Sequence, residues 1–119
     1  MASIKQSMED MMMADGAMCA ALVDSSSGMI LGQIGSGVDL EVAAAGNTEV
    51  VRAKLKTMRA LGLNDVIEDI LITLGKQYHI LRPMARKEGL FIYLVLDKAK
   101  SNLAMARRKV QDIERDMIV

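Results

Sequence analysis

Two stretches far apart in the chain, Ala17–Val23 and Leu90–Leu96, are apolar on both alternating faces. A strand packed on one face alternates apolar with polar residues, whereas a strand covered above and below reads as a near-continuous hydrophobic run. Both stretches are therefore predicted as central strands of a helix-sheet-helix sandwich. Upstream, Ser3-Ile4-Lys5-Gln6 has the spacing of a capping box. It predicts a first helix with Ile4, Met8, Met11 and Met12 on one face and a stop at Asp15-Gly16. The turn formers Asp24-Ser25-Ser26-Ser27-Gly28 join the first strand to a second at Met29–Ile34, an antiparallel hairpin.

A long helix is predicted over Val38–Leu61, capped by Ser36 or Asp39 and ended by Gly62. Val51, Leu55 and Met58 form its apolar row, widened by Val50 and Leu61, while Arg52, Lys56 and Arg59 form a basic row at helical spacing. Ala43-Ala44-Ala45-Gly46 lets the helix backbone approach another element closely, at a cost of about 1 kcal/mol for the mid-helix glycine. That element is either the sheet or the same helix of a second subunit. Val66–Thr73 and Lys76–Met84 flank Leu74-Gly75 as a second hairpin, with Val66–Thr73 at the sheet edge and Pro83, which lacks an N–H, at a strand end. Arg86-Lys87-Glu88-Gly89 turns the chain back into the second apolar run. Asp97 is expected to cap a last helix, along which Leu103, Ala106, Val110, Ile113 and Met117 recur at steps of three and four. This stripe is too short for a coiled coil and suits a helix lying on the sheet.

With 119 residues the chain is the size of one domain. Its 15 basic and 15 acidic side chains cancel, so no global charge draws it to nucleic acid or an anionic membrane. Aromatic content is only 3%, which argues against base-stacking platforms and leaves the core to aliphatic residues and 11 methionines. Met11–Met13 cannot all face one core; they fill gaps under the sheet or form an adaptable contact surface. No segment has the pattern of a signal peptide or the roughly 18 apolar residues of a membrane span, so a soluble cytoplasmic protein is expected.

Candidate chemistry is sparse. Cys19 lies inside an apolar run and is expected to be a buried thiol. His79 stands without a second imidazole or nearby cysteine, which makes a metal site a poor reading and an outward-facing strand residue the better one. Gly32, Gly35 and Gly37 match neither phosphate-binding spacing and are read as bending the hairpin end. Glu68 and Asp69 are adjacent on a predicted strand, so they point to opposite faces and cannot work as an acid-base pair. The chain is expected to be no enzyme and to need no cofactor or metal.

The order of predicted elements is helix, hairpin, long helix, three strands, helix. In this order the sequence resembles the Roadblock family, named for dynein light chains, over nearly its whole length as a single domain, 1–119. The likeness is carried by Leu22-Val23-Asp24 with Ser27-Gly28 and Leu31 in the first hairpin, by Leu94-Val95-Leu96-Asp97, and by Asn102-Leu103-Ala104-Met105-Ala106-Arg107. It implies an α/β fold of the α+β type: a three-layer α/β/α sandwich of order αββαβββα. Its five-stranded antiparallel sheet would carry the long helix on one face and the terminal helices on the other. The resemblance also implies dimers in which the edge strands pair and the long helices lie side by side as a platform. The sequence agrees, since an exposed edge carrying Val66, Ile67, Ile70, Leu71 and Ile72 would aggregate unless paired or covered. Ala43, Gly46 and Val50 complete the expected dimer interface on the long helix, and Arg52, Lys56 and Arg59 are its candidate partner-facing residues.

Bacterial single-domain members of the family look like regulators of small Ras-like GTPases, so the resemblance implies such a GTPase as the partner of a cytoplasmic homodimer. No catalytic residue carries over. Arg52 or Arg59 could serve as an arginine finger only if inserted at the partner's phosphates. Holding the partner's switch segments in one arrangement needs only differential affinity for two states. The alternatives are a scaffold in a motility, polarity or secretion assembly that leaves nucleotide turnover unchanged, and a small-ligand sensor. No role with nucleic acid or in membrane insertion is expected.

Overall fold

The computed structural model describes residues 1–119. In chain order the elements are α1 (Ile4–Met11), β1 (Ala17–Asp24), β2 (Met29–Gly35), α2 (Leu40–Ala60), β3 (Ile70–Thr73), β4 (Gln77–Pro83), β5 (Leu90–Asp97) and α3 (Leu103–Asp116). The two apolar runs become β1 and β5, which pair at the centre of a five-stranded antiparallel sheet of order β2-β1-β5-β4-β3. Side chains alternate between its faces. Leu22, Ile80, Ile92 and Leu94 pack with Met8 and Met11 of α1 and with Val110 and Ile113 of α3. On the other face Val23, Phe91, Tyr93 and Val95 pack with Leu40, Ala44 and Val51 of α2. The three-layer sandwich and its order αββαβββα are as expected from the sequence.

Element ends show which local signals prevailed. Ser3 caps α1 by accepting from the Gln6 N–H at 3.1 Å, but the helix stops at Met11, before Asp15-Gly16. Gly16 instead takes a positive φ at the entry to β1, where a Cβ would lie 3.0 Å from the Asp97 carbonyl oxygen. Of the methionine triplet, Met11 is buried under the sheet and Met13 is exposed. Asp39, not Ser36, caps α2, accepting from the Val42 N–H at 3.2 Å. For α3 the cap is Asn102, bonded to the Met105 N–H at 3.1 Å, rather than Asp97. The Asp97 carboxylate is consumed earlier, holding the Ala99 N–H at 3.0 Å in the turn that leaves β5.

The edge strand is shorter than expected. Val66–Thr73 reads as one strand in the sequence, yet β3 begins at Ile70 and leaves Val66 and Ile67 outside it. The partner strand explains this. Ile70 lies opposite Leu81, and the Leu74 N–H donates to the Gln77 carbonyl at 2.8 Å, so the odd-numbered residues of β4 bond toward β3. Extending that register would set Glu68 against Pro83, which has no N–H to give. Asp69 is meanwhile drawn to α3, where Arg107 donates to both of its oxygens at 2.8 and 3.0 Å. A second ion pair, Arg82 to Glu114 at 2.9 Å, ties α3 to β4 and is nearly buried.

Candidate interaction surface

The sheet has two open edges, and they are built differently. At β2 the register shifts at Leu22/Val23, which leaves a bulge at Leu31. α1 sits directly on this strand: a Cβ on Gly32 would meet the Ile4 methyl at 2.5 Å. Bulges and coverage of this kind blunt an edge against pairing. At β3 neither device is present, and Ile70-Leu71-Ile72-Thr73 contains no charge, glycine or proline. Since Ile70 and Ile72 bond to β4, the N–H and C=O groups of Leu71 and Thr73 point away from the sheet. Leu71 is 37% exposed and Val66, just before the strand, 76%. Leu61, Leu63 and Leu74 are exposed in the same part of the chain, and none of the three is among the interface candidates read from the sequence. A leucine beside a turn glycine, as in Leu61-Gly62-Leu63 and Leu74-Gly75, is the sequence signal that marks them.

α2 turns Leu40, Ala44, Thr48, Val51 and Met58 inward. Its two flanks differ in character. Asn47 lies near the Tyr93 hydroxyl, which itself points to His79 of β4, so the flank carrying Ala43, Asn47, Val50 and Leu61 faces the β3 side, with Lys54 as its single charge. On the opposite flank, Ala45 approaches the β1–β2 turn, where a Cβ on Gly28 would lie 3.6 Å from the Ala45 Cα. Glu41, Arg52, Lys56 and Arg59 follow that flank at helical spacing and are all exposed. The two candidate sets on α2 therefore separate: Ala43 and Val50 lie toward the open edge, whereas Arg52, Lys56 and Arg59 lie away from it. Gly46 stands on the outer surface with nothing within 4 Å of where its Cβ would be, so packing on the sheet does not explain it. In the small-residue run only Ala44 is fully buried against the sheet.

His79 departs from its expected outward orientation. It shares the α2 face with Leu81, is half-buried, and packs edge to face with Tyr93 at 5.5 Å between ring centroids. Its Nδ1 lies 3.0 Å from the Tyr93 hydroxyl and its Nε2 2.8 Å from Gln77 Oε1. The Gln77 oxygen can only accept, which puts the ring proton on Nε2 and makes Tyr93 the donor to Nδ1. Burial lowers the His79 pKa, raises that of the Cys19 thiol, and pushes the Tyr93 hydroxyl up to about 12. The cluster is thus a neutral, internally satisfied network beneath α2. Glu68 and Asp69 form no pair, since Asp69 is engaged by Arg107, and no group of three metal-ligating side chains occurs. No helix is long and apolar enough to cross a membrane.

The Roadblock/LC7 domain from Streptomyces avermitilis superposes with a TM-score of 0.81 over 96% of this chain and 93% of that chain, at 10% identity. The chain has the Roadblock/LC7 fold. Two further structures with this fold are similar to it. Myxococcus xanthus MglB matches with a TM-score of 0.75 at 15% identity, over 94% of this chain and 85% of that one. The gliding protein MglB from Thermus thermophilus matches with a TM-score of 0.72 at 16% identity, over 93% and 87%. No protein-family model and no curated protein matches the sequence.

Proposed function

We propose that this Roadblock-fold chain acts as a homodimer that binds and regulates a small Ras-like GTPase over its paired α2 helices. One observation carries the dimer: the unprotected β3 edge and the charge-poor flank of α2 lie on the same side of the molecule and hold much of its exposed apolar surface. A two-fold axis beside β3 would pair Leu71 of each copy with Thr73 of the other. That adds about four backbone hydrogen bonds and removes the exposed edge. The same axis would bring Ala43, Gly46 and Val50 of the two α2 helices together, where small side chains allow close approach. Regulation of a GTPase switch as the purpose of the platform is what the family resemblance implies, and the likeness to MglB, a gliding protein, agrees with a role of that family's bacterial members.

The test is sedimentation velocity together with nucleotide turnover by a Ras-like GTPase from the same genome. A dimer that binds the GTPase and changes its hydrolysis or exchange rate supports the reading. Binding with unchanged turnover selects a scaffold instead, and a monomeric wild-type chain overturns the dimer.

A further inference from the structure

Resting on the dimeric reading, we infer that the cationic flank of α2 is a docking strip for an acidic segment of a protein partner, with one apolar side chain seated among the cations. Between Val50 and Leu61 this flank carries Arg52, Lys56 and Arg59 and no acidic residue, although the whole chain is electrically neutral. None of the molecule's five ion pairs involves any of these three side chains. Complementing the helix dipole would account for a cation in the last turn, where Arg59 stands, but not for Arg52 or Lys56 further back. Arg52, Ala53, Leu55, Lys56 and Arg59 line an open hollow of about 390 Å³, so that two apolar and three cationic side chains border the same space. That combination fits a partner helix presenting carboxylates one turn apart on either side of a leucine or methionine.

A protein is favoured over the other polyanions. Nucleic-acid binding uses stacking aromatics or a broad basic surface, and this flank has neither. A membrane surface rewards basic residues beside large apolar side chains that can insert, whereas Leu55 is half-buried and packs toward the sheet. The strip also lies on the flank away from β3, so in the dimer one strip would run along each outer margin of the platform, clear of the seam.

The probe is a labelled helical peptide with glutamates at i and i+4 around a central leucine, titrated by fluorescence anisotropy. The controls are the same peptide with lysine for glutamate, a single-stranded oligothymidylate and phosphatidylserine vesicles. The acidic peptide is expected to bind, to weaken as salt rises, and to lose about a hundredfold or more in affinity in an Arg52→Glu/Lys56→Glu/Arg59→Glu variant whose melting temperature is unchanged. Equal affinity of that variant for the acidic peptide, equal binding of the lysine peptide, or tighter binding of the oligonucleotide or vesicles overturns the inference. An Ile70→Lys monomer should bind the acidic peptide like the wild type. A failed dimer and a failed docking strip are therefore told apart.

Discussion

Replacing Arg82 with Met removes the one ionic partner of Glu114, whose side chain is only 6% exposed in α3 against β4. Breaking a buried pair from one side costs about 3–5 kcal/mol, because the remaining charge stays buried without compensation. Arg82→Met is therefore expected to cost about 3 kcal/mol, measured by urea unfolding followed by circular dichroism. Arg82→Met/Glu114→Met should recover most of the loss by filling the site with apolar volume. A deficit under about 1 kcal/mol for the single variant, or a double variant no more stable than the single one, would refute the reasoning.

Gly35→Ala places a methyl group on a residue with φ of +81° and 2.8 Å from the Cys19 Cα, and should destabilise by about 2–4 kcal/mol in thermal melts. Ile70→Lys puts like charges into the proposed seam and should give folded monomers by sedimentation velocity; a dimer of unchanged affinity would rule out edge pairing. His79 is held neutral by burial, so the unfolded chain binds the extra proton below about pH 6.5, its ordinary value. Its contribution to stability is therefore complete above that pH and falls as pH drops through the lowered folded value, and His79→Gln should flatten this part of the pH–stability curve by up to about 1.4 kcal/mol per pH unit.

Much of the candidate surface was legible as a list of residues and illegible as an arrangement. The basic row of Arg52, Lys56 and Arg59 and the small run from Ala43 to Gly46 are evident from spacing alone. That they occupy opposite flanks of α2 follows only from Asn47 meeting Tyr93 and Ala45 meeting Gly28. Helical period fixes which side chains share a face, but not what lies beside that face.

Local chemistry was enough to set the central strands, the caps at Ser3 and Asp39, and the order of the elements, because apolar continuity and side-chain capping act within a few residues. Contacts between distant segments decided the rest. β3 begins only at Ile70 because its neighbour ends in Pro83, His79 turns inward because Tyr93 and Gln77 satisfy both ring nitrogens, and Asn102 replaces Asp97 as a cap because the Asp97 carboxylate is already bonded. A strand's length and a polar side chain's direction depend on which donors and acceptors remain free nearby, and only the folded chain brings those groups together.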